Sequence, residues 1–289
     1  MTMKKRLYDI SVFLMIPFLG ILFVICIGGT YHHIAWYKEL LLTLVFAVLM
    51  IAISFFVLRC KSFLEKHEKK LLFVFLLIIG IVLYCVSCLC RNIPMYDYSD
   101  LYHSAYSYAT GGAANWEYLS YWKNNFPLFF YLFGVMKLSL SLGITDPFYV
   151  LLLINVLLTV GSGYCIYRLV RLYTESVPWS FIGLGLFFGF GPLWCGTNYF
   201  YTDSVSLFFS VGAVWIFCRK KQRMRDGITA GVLWGTGYAL KATVAVSMVA
   251  VVIVIWLTEE KNRQLCLKAG LSVLAFLLCL LLWTGIRMQ

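Results

Sequence analysis

Long apolar runs, each bounded by short polar or basic clusters, fill most of the chain, and one polar, Tyr-rich stretch from Arg91 to Asn125 interrupts them. A helix needs about 20 apolar residues to cross a hydrocarbon core. On that measure spans are expected near 9–29, 38–58, 71–90, 124–143, 148–168, 178–195, 202–218, 227–240, 242–257 and 264–284. The stretch 227–257 is too long for one ordinary span and carries Gly235, Gly237 and Lys241 in its middle, so it divides there. The pattern predicts an all-α polytopic membrane protein of about ten transmembrane or membrane-embedded helices. It is read as a single transmembrane domain over 1–289, with two extra helices in 1–70 and a core over 71–289.

Orientation follows from Lys and Arg, which accumulate on the cytoplasmic side of membrane proteins. Residues 4–6, 59–70, 219–225 and 259–263 are basic and are expected in the cytoplasm, which puts the 91–125 insertion on the opposite side. Five candidate spans separate the 59–70 segment from the 219–225 segment. An odd number cannot return the chain to the same side, so one of them is re-entrant or merged. The short 178–195 and 202–218 segments and the Pro-containing start of 124–143 are the candidates.

Within the insertion, Tyr98, Leu101, Tyr102, Ala105, Tyr108 and Ala109 recur at three- and four-residue spacing, which predicts a helix with one aromatic and apolar face. Such a helix suits the headgroup region, where Tyr and Trp prefer to sit. Asp97 is expected as its N-cap with Asp100 three residues on, and Gly111-Gly112 as its end.

Composition removes the soluble alternatives. With 62% hydrophobic and 13% charged residues, the chain has about half the charge of a soluble domain. The net charge of +11 sits in inter-helix clusters such as KSFLEKHEKK and RKKQRMRD, so no nucleic-acid partner is expected. The start, MTMKKRLYDI and an apolar run without a small-residue cleavage site, reads as an uncleaved anchor. Ten cysteines are scattered through apolar runs, and Cys85, Cys88 and Cys90 have no His nearby in sequence, so they are expected to be buried structural thiols.

Carboxylates where a span meets water stay charged yet lie close to lipid-borne substrates. Asp97 fits that description as a proton acceptor, and fits equally as a helix cap. An ammonium as deep as Lys241 must face protein, water or an anion, and a phosphate, snorkelling to an interface or a structural pair with Asp203 satisfies it. Arg91 and Lys123 are either phosphate ligands or headgroup anchors, and Asp203 with Tyr201 orients a base, binds acceptor or caps its helix. No metal site is assigned and no cofactor is expected; a divalent cation between Asp97 and Asp100 is the alternative.

Asp97 followed by Tyr102, Ala105, Ala109 and Gly111, then NNFPLFFYLF opening the next span, resembles the first extracytoplasmic loop of the GT-C glycosyltransferases, including their protein O-mannosyltransferase-like and aminoarabinose-transferase-like branches. Asn198-Tyr199-Phe200-Tyr201-Thr202-Asp203 and Gly237-Tyr238-Ala239-Leu240-Lys241-Ala242-Thr243 extend the likeness over roughly 71–289. The resemblance implies a GT-C-like fold in a bacterial plasma membrane with the loop outside, and a sugar moved from a polyprenyl-phosphate carrier to an extracytoplasmic acceptor. It implies Asp97 as catalytic base, with Asp100, Tyr102, Lys123, Asn125, Tyr201, Asp203, Lys241 and Arg91 binding substrate. One carboxylate suffices for that chemistry, since phosphate leaves readily as an anion. The two extra spans before residue 70 and the end at WTGIRMQ depart from the family pattern; the core is expected to be incomplete at its C-terminus, with a second membrane chain completing the site. A transporter or lipid flippase built on Lys241 and Asp203, and an inactive scaffold, are the competing readings.

Overall fold

A computed structural model describes residues 36–91, 94–219, 223–257 and 263–287; the span expected at 9–29 and the basic residues 4–6 lie outside them. The described residues form α1 (Trp36–Arg59), α2 (Lys61–Leu89), α3 (Tyr96–Ala109), α4 (Trp116–Tyr121), a 3-10 turn (Lys123–Asn125), α5 (Phe126–Ser141), α6 (Phe148–Thr174), α7 (Val177–Gly189), α8 (Gly191–Thr197), α9 (Thr202–Phe217), α10 (Met224–Leu240), α11 (Val244–Leu257) and α12 (Arg263–Arg287). Among them are no strands, as the apolar pattern predicts. Helices satisfy every backbone group internally, which hydrocarbon requires.

The segment 59–70, read as a loop, is helical instead. Only Cys60 separates α1 from α2, and a kink at His67 (φ −116°, ψ 18°) turns an amphipathic first stretch into the apolar span. The apolar run beginning near 178 is also broken: Phe190 is extended, and α8 starts anew at Gly191-Pro192.

Two ends of the bundle are defined by side-chain contacts. From Glu68 to Cys90 α2 rises about 33 Å at 1.5 Å per residue. At its lower, basic end Glu68 accepts from Tyr167 Oη (2.9 Å) and pairs with Arg171 (3.4 Å), both in the last third of α6. At its upper, tyrosine end Arg91 pairs with Asp146 (2.6 Å) just before α6, and Asn198 Nδ2 donates to the Cys90 carbonyl (2.8 Å) just after α8. α6 therefore runs antiparallel to α2, and α7–α8 climbs back. α9 descends to the basic end, where Arg219 meets Asp226 at the start of α10 (3.5 Å). α10 ascends until Lys241 meets Asp203 at the start of α9.

These contacts identify the segment that does not cross. α5 starts at the tyrosine end, since Pro127 shares a cavity with Leu240, the neighbour of Lys241. It also finishes there: Asp146, held by Arg91, is five residues beyond Ser141, and five residues reach at most about 17 Å. A crossing would leave about 30 Å to recover. With α5 confined to one end, four crossings separate 59–70 from 219–225 and the parity closes.

α10 and α12 ascend side by side. Gly227, Gly231 and Gly235 face Lys268, Ser272 and Cys279 in turn, and a Cβ on Gly231 would collide with the Ser272 carbonyl. Small residues let helix backbones approach in lipid, where van der Waals packing replaces the hydrophobic drive. Lys268, fully buried in this seam, donates to the Phe217 carbonyl and lies 4.9 Å from the Phe217 ring centroid.

In a background without native cysteines, single cysteines at Ser120 and Ser141 should react with an impermeant thiol reagent from the same side, and one at Ser62 from the other. Labelling of Ser141 together with Ser62 would make α5 a crossing helix. Gly231→Leu should destabilise the purified protein by about 1–3 kcal/mol or more through overpacking, read as a lowered melting temperature. Gly270→Ala, with open space at its Cβ, should be neutral or stabilising.

Candidate functional site

The tyrosine end is assembled by the 198–201 segment, which is tied to the chain on either side of the 92–93 link. Asn198 holds the Cys90 carbonyl, and Tyr199 Oη donates to the Met95 carbonyl (3.0 Å). Beneath them Tyr98 is buried, its ring centroid 4.3 Å from Tyr199, 5.8 Å from Tyr102 and 6.4 Å from both Phe200 and Tyr201. Five of the six residues of the predicted apolar face of α3, Tyr98, Leu101, Tyr102, Ala105 and Ala109, are buried, whereas Tyr108 is exposed, and Gly111 (φ +91°) ends the helix.

The cap assignment is corrected. α3 begins two residues early, Met95 is the N-cap with no side-chain cap bond, and Tyr96 enters through the left-handed region (φ +53°). That conformation is uncommon for a bulky residue and costs of order 1 kcal/mol. Asp97 thus lies inside the first turn with its side chain exposed, favoured there by the helix dipole but released from capping.

Three tyrosines crowd this carboxylate. Burial first, and then the Asp97 charge, push the hydroxyls of Tyr118, Tyr199 and Tyr201 up, that of Tyr118 to about 12. Tyr118 is set by Asn115, whose side chain accepts from the Tyr118 backbone N–H to cap α4, and by Asn125, whose Nδ2 donates to Tyr118 Oη (2.8 Å). Asn125 is buried and reaches the site only through that tyrosine. Asp203 faces Tyr201 from the first turn of α9 and accepts from Lys241 Nζ. Lys241 is displayed because the backbone there is extended (φ −149°, ψ 118°) between α10 and α11, its N–H still bonded to the Gly237 carbonyl (2.8 Å). The sequence division at Lys241 is found in the structure, as is the Asp203 pair that was one of the readings for its ammonium.

The structure therefore groups Asp97, Tyr201, Asp203 and Lys241, adding Tyr118 and Tyr199. Lys123 is exposed in the 3-10 turn, which packs on α10, and Asp100 is exposed one turn beyond Asp97. Arg91 and Tyr102 belong elsewhere. The Arg91 guanidinium forks onto both Asp146 oxygens (2.6 and 3.4 Å), lies 4.2 Å from the Phe148 ring centroid, and interacts with the largely buried Tyr102. That set anchors α6 to α2. Among the described residues no three His, Cys, Asp or Glu side chains converge as metal ligands. Cys85 and Cys90 are exposed, not buried, because most of α2 faces outward from the bundle.

Tyr118 escaped the sequence reading, and Tyr199 entered it only inside the Asn198–Asp203 motif and not as a site residue, since in a chain with 19 tyrosines no spacing distinguishes them. The one usable signal was Asn115, three residues before Tyr118, as a helix N-cap.

In comparison with known families, the model described as dolichyl-phosphate-mannose-protein mannosyltransferase fits residues 127–284, more than half of the chain. Tyr199, Tyr201, Asp203 and Lys241 lie within the matched range, whereas Asp97, Tyr118 and Asn125 precede it. No curated protein and no solved structure matches the chain.

If Arg91 is an anchor, Arg91→Gln and Asp146→Asn should each cost up to about 1 kcal/mol, and the double change no more than the larger single one. Melting of the four proteins measures this, and additive losses would separate Arg91 from Asp146.

Proposed function

Because the chain belongs to the dolichyl-phosphate-mannose-protein mannosyltransferase family, we propose that it moves a sugar from a polyprenyl-phosphate carrier to an extracytoplasmic hydroxyl acceptor, with Asp97 as the base. A membrane mannosyltransferase-like role is what the family supports; carrier, acceptor side and base are read from the site. The basic segments gathered at the opposite end favour a tyrosine end outside the cytoplasm.

The observation that carries the reading is the different state of three carboxylates at one end of the bundle. Asp146 is neutralised by Arg91 and Asp203 by Lys241. Asp97 has no cation within ion-pair distance among the described residues, is not a cap, and faces tyrosines whose protons burial retains. A carboxylate so placed is free to accept a proton, and neutral Tyr O–H groups can orient an acceptor hydroxyl without competing for that proton.

In this scheme the acceptor oxygen forms its bond to the anomeric carbon as its proton passes to Asp97. The bond from that carbon to the phosphate oxygen breaks, and the phosphate departs as an anion with inversion at carbon. Lys241 uses one of its three N–H donors on Asp203, so two remain for phosphate oxygens, and Lys123 adds a second charge nearby. Immediately below, an apolar cavity of about 370 Å³ lined by Pro127, Phe130, Tyr131, Leu158, Phe209 and Leu240 suits a prenyl chain attached to that phosphate. No step uses a divalent cation.

The full chain in lipid, supplied with polyprenyl-phosphate mannose and a hydroxyl acceptor, tests the proposal. Asp97→Asn should lower transfer by about 10²–10⁴-fold with an unchanged melting temperature, and Asp100→Asn should be milder. Wild-type turnover by Asp97→Asn would remove Asp97 from the chemistry.

A further inference from the structure

The largest cavity described, about 830 Å³, lies at the basic end, a full bundle length from Asp97, and none of its residues enters the scheme above. Its walls carry four arginines, Arg168, Arg171, Arg219 and Arg223, against three carboxylates, Glu68, Glu175 and Asp226, with Tyr164 and Trp215. Two of the four are neutralised, Arg171 by Glu68 (3.4 Å) and Arg219 by the buried Asp226 (3.5 Å). Arg168 and Arg223 have no carboxylate within ion-pair distance among the described residues. Arg168 lies with its guanidinium carbon 5.9 Å from the centroids of both Tyr164 and Trp215, and Arg219 lies 4.2 Å from Trp215, an aromatic support that keeps planar cations aimed into the space.

A second cavity, about 430 Å³, shares Arg219 with the first and is otherwise mostly apolar, lined by Val214, Phe217, Ala250, Val251 and Val254 between α9 and α11. A cationic chamber and an apolar groove meeting at one arginine match a ligand with an anionic head and a hydrocarbon tail. A soluble phosphate uses only the first. Basic pockets between helices at a membrane surface are suited to anionic headgroups, which Arg engages through paired, charge-assisted hydrogen bonds.

We propose that the basic end holds an anionic phospholipid, its phosphate in the arginine cavity against Arg168 and Arg223 and one acyl chain along the Val214–Val251 groove. The site is independent of sugar transfer at the other end.

Binding of phosphatidylglycerol to the full chain in phosphatidylcholine nanodiscs tests it. The double variant Arg168→Gln/Arg223→Gln should weaken binding at least about tenfold. Val251→Trp, which fills the groove, should weaken it as well. Lys69→Gln/Lys70→Gln removes the same charge from exposed positions at the same end and should leave affinity unchanged. Equal losses in the lysine and arginine pairs would reduce the site to general surface attraction and overturn it. So would displacement of the lipid by glycerol 3-phosphate at equal concentration, which would identify a soluble anion as the ligand. Matched melting temperatures establish that each variant is folded.

Discussion

Hydrocarbon offers no water to an unpaired peptide group, so a membrane helix can be interrupted only where something else meets the freed donors and acceptors. Each interruption here has such a partner. Where α7 gives way to α8, Trp194 Nε1 donates to the Phe188 carbonyl (2.6 Å), and where α8 ends, the buried Asn155 takes the Thr197 carbonyl (2.7 Å). At Lys241 the backbone N–H keeps its bond to Gly237 while the ammonium turns to Asp203. Of these interruptions, the one at Lys241 lies in the candidate site itself, where Asp203 meets the ammonium.

What local pattern controls was legible in the sequence. Most apolar runs from 38 onward locate their helices to within a few residues, although α2 begins ten residues before its expected span and 178–195 divides into two helices. Gly235, Gly237 and Lys241 mark the division of 227–257 because an ammonium is costly mid-span. What depends on contacts between distant residues was not. α5 is as apolar as a crossing helix; Asp146, held by an arginine 55 positions earlier, and Lys137, which donates to the Ala109 carbonyl 28 positions earlier, keep it at one end. Asp97 has the spacing of a cap, and Tyr199, 104 positions from Met95, helps fix the entrance to α3 instead. Cys85, Cys88 and Cys90 illustrate the same limit: an apolar neighbourhood in sequence does not say whether a helix face meets protein or lipid.

The charges fall into two populations. Arg91–Asp146, Glu68–Arg171 and Arg219–Asp226 are fasteners between helices, each pairing residues from different elements. Asp97 at one end and Arg168 and Arg223 at the other have no such partner among the described residues. Fasteners spend their charge inside the protein, whereas the unpaired groups present theirs to whatever approaches from outside. Sequence composition gives the sum of the two and cannot separate them.

The parallel seam of α10 and α12 has a consequence for how the protein is made. α10 carries Lys241, yet the glycines along its face are filled by Lys268, Ser272 and Cys279, which leave the ribosome after α11 has been threaded. At roughly 5–20 residues per second, α10 waits several seconds in the membrane with its narrow face uncovered. During that interval α9 and α11 hold it, with α5 and the 3-10 turn beside it, and the pair between Asp203 and Lys241 can form before the helix that supports it has arrived. Chain order thus lets the charge pair precede the scaffold that supports it.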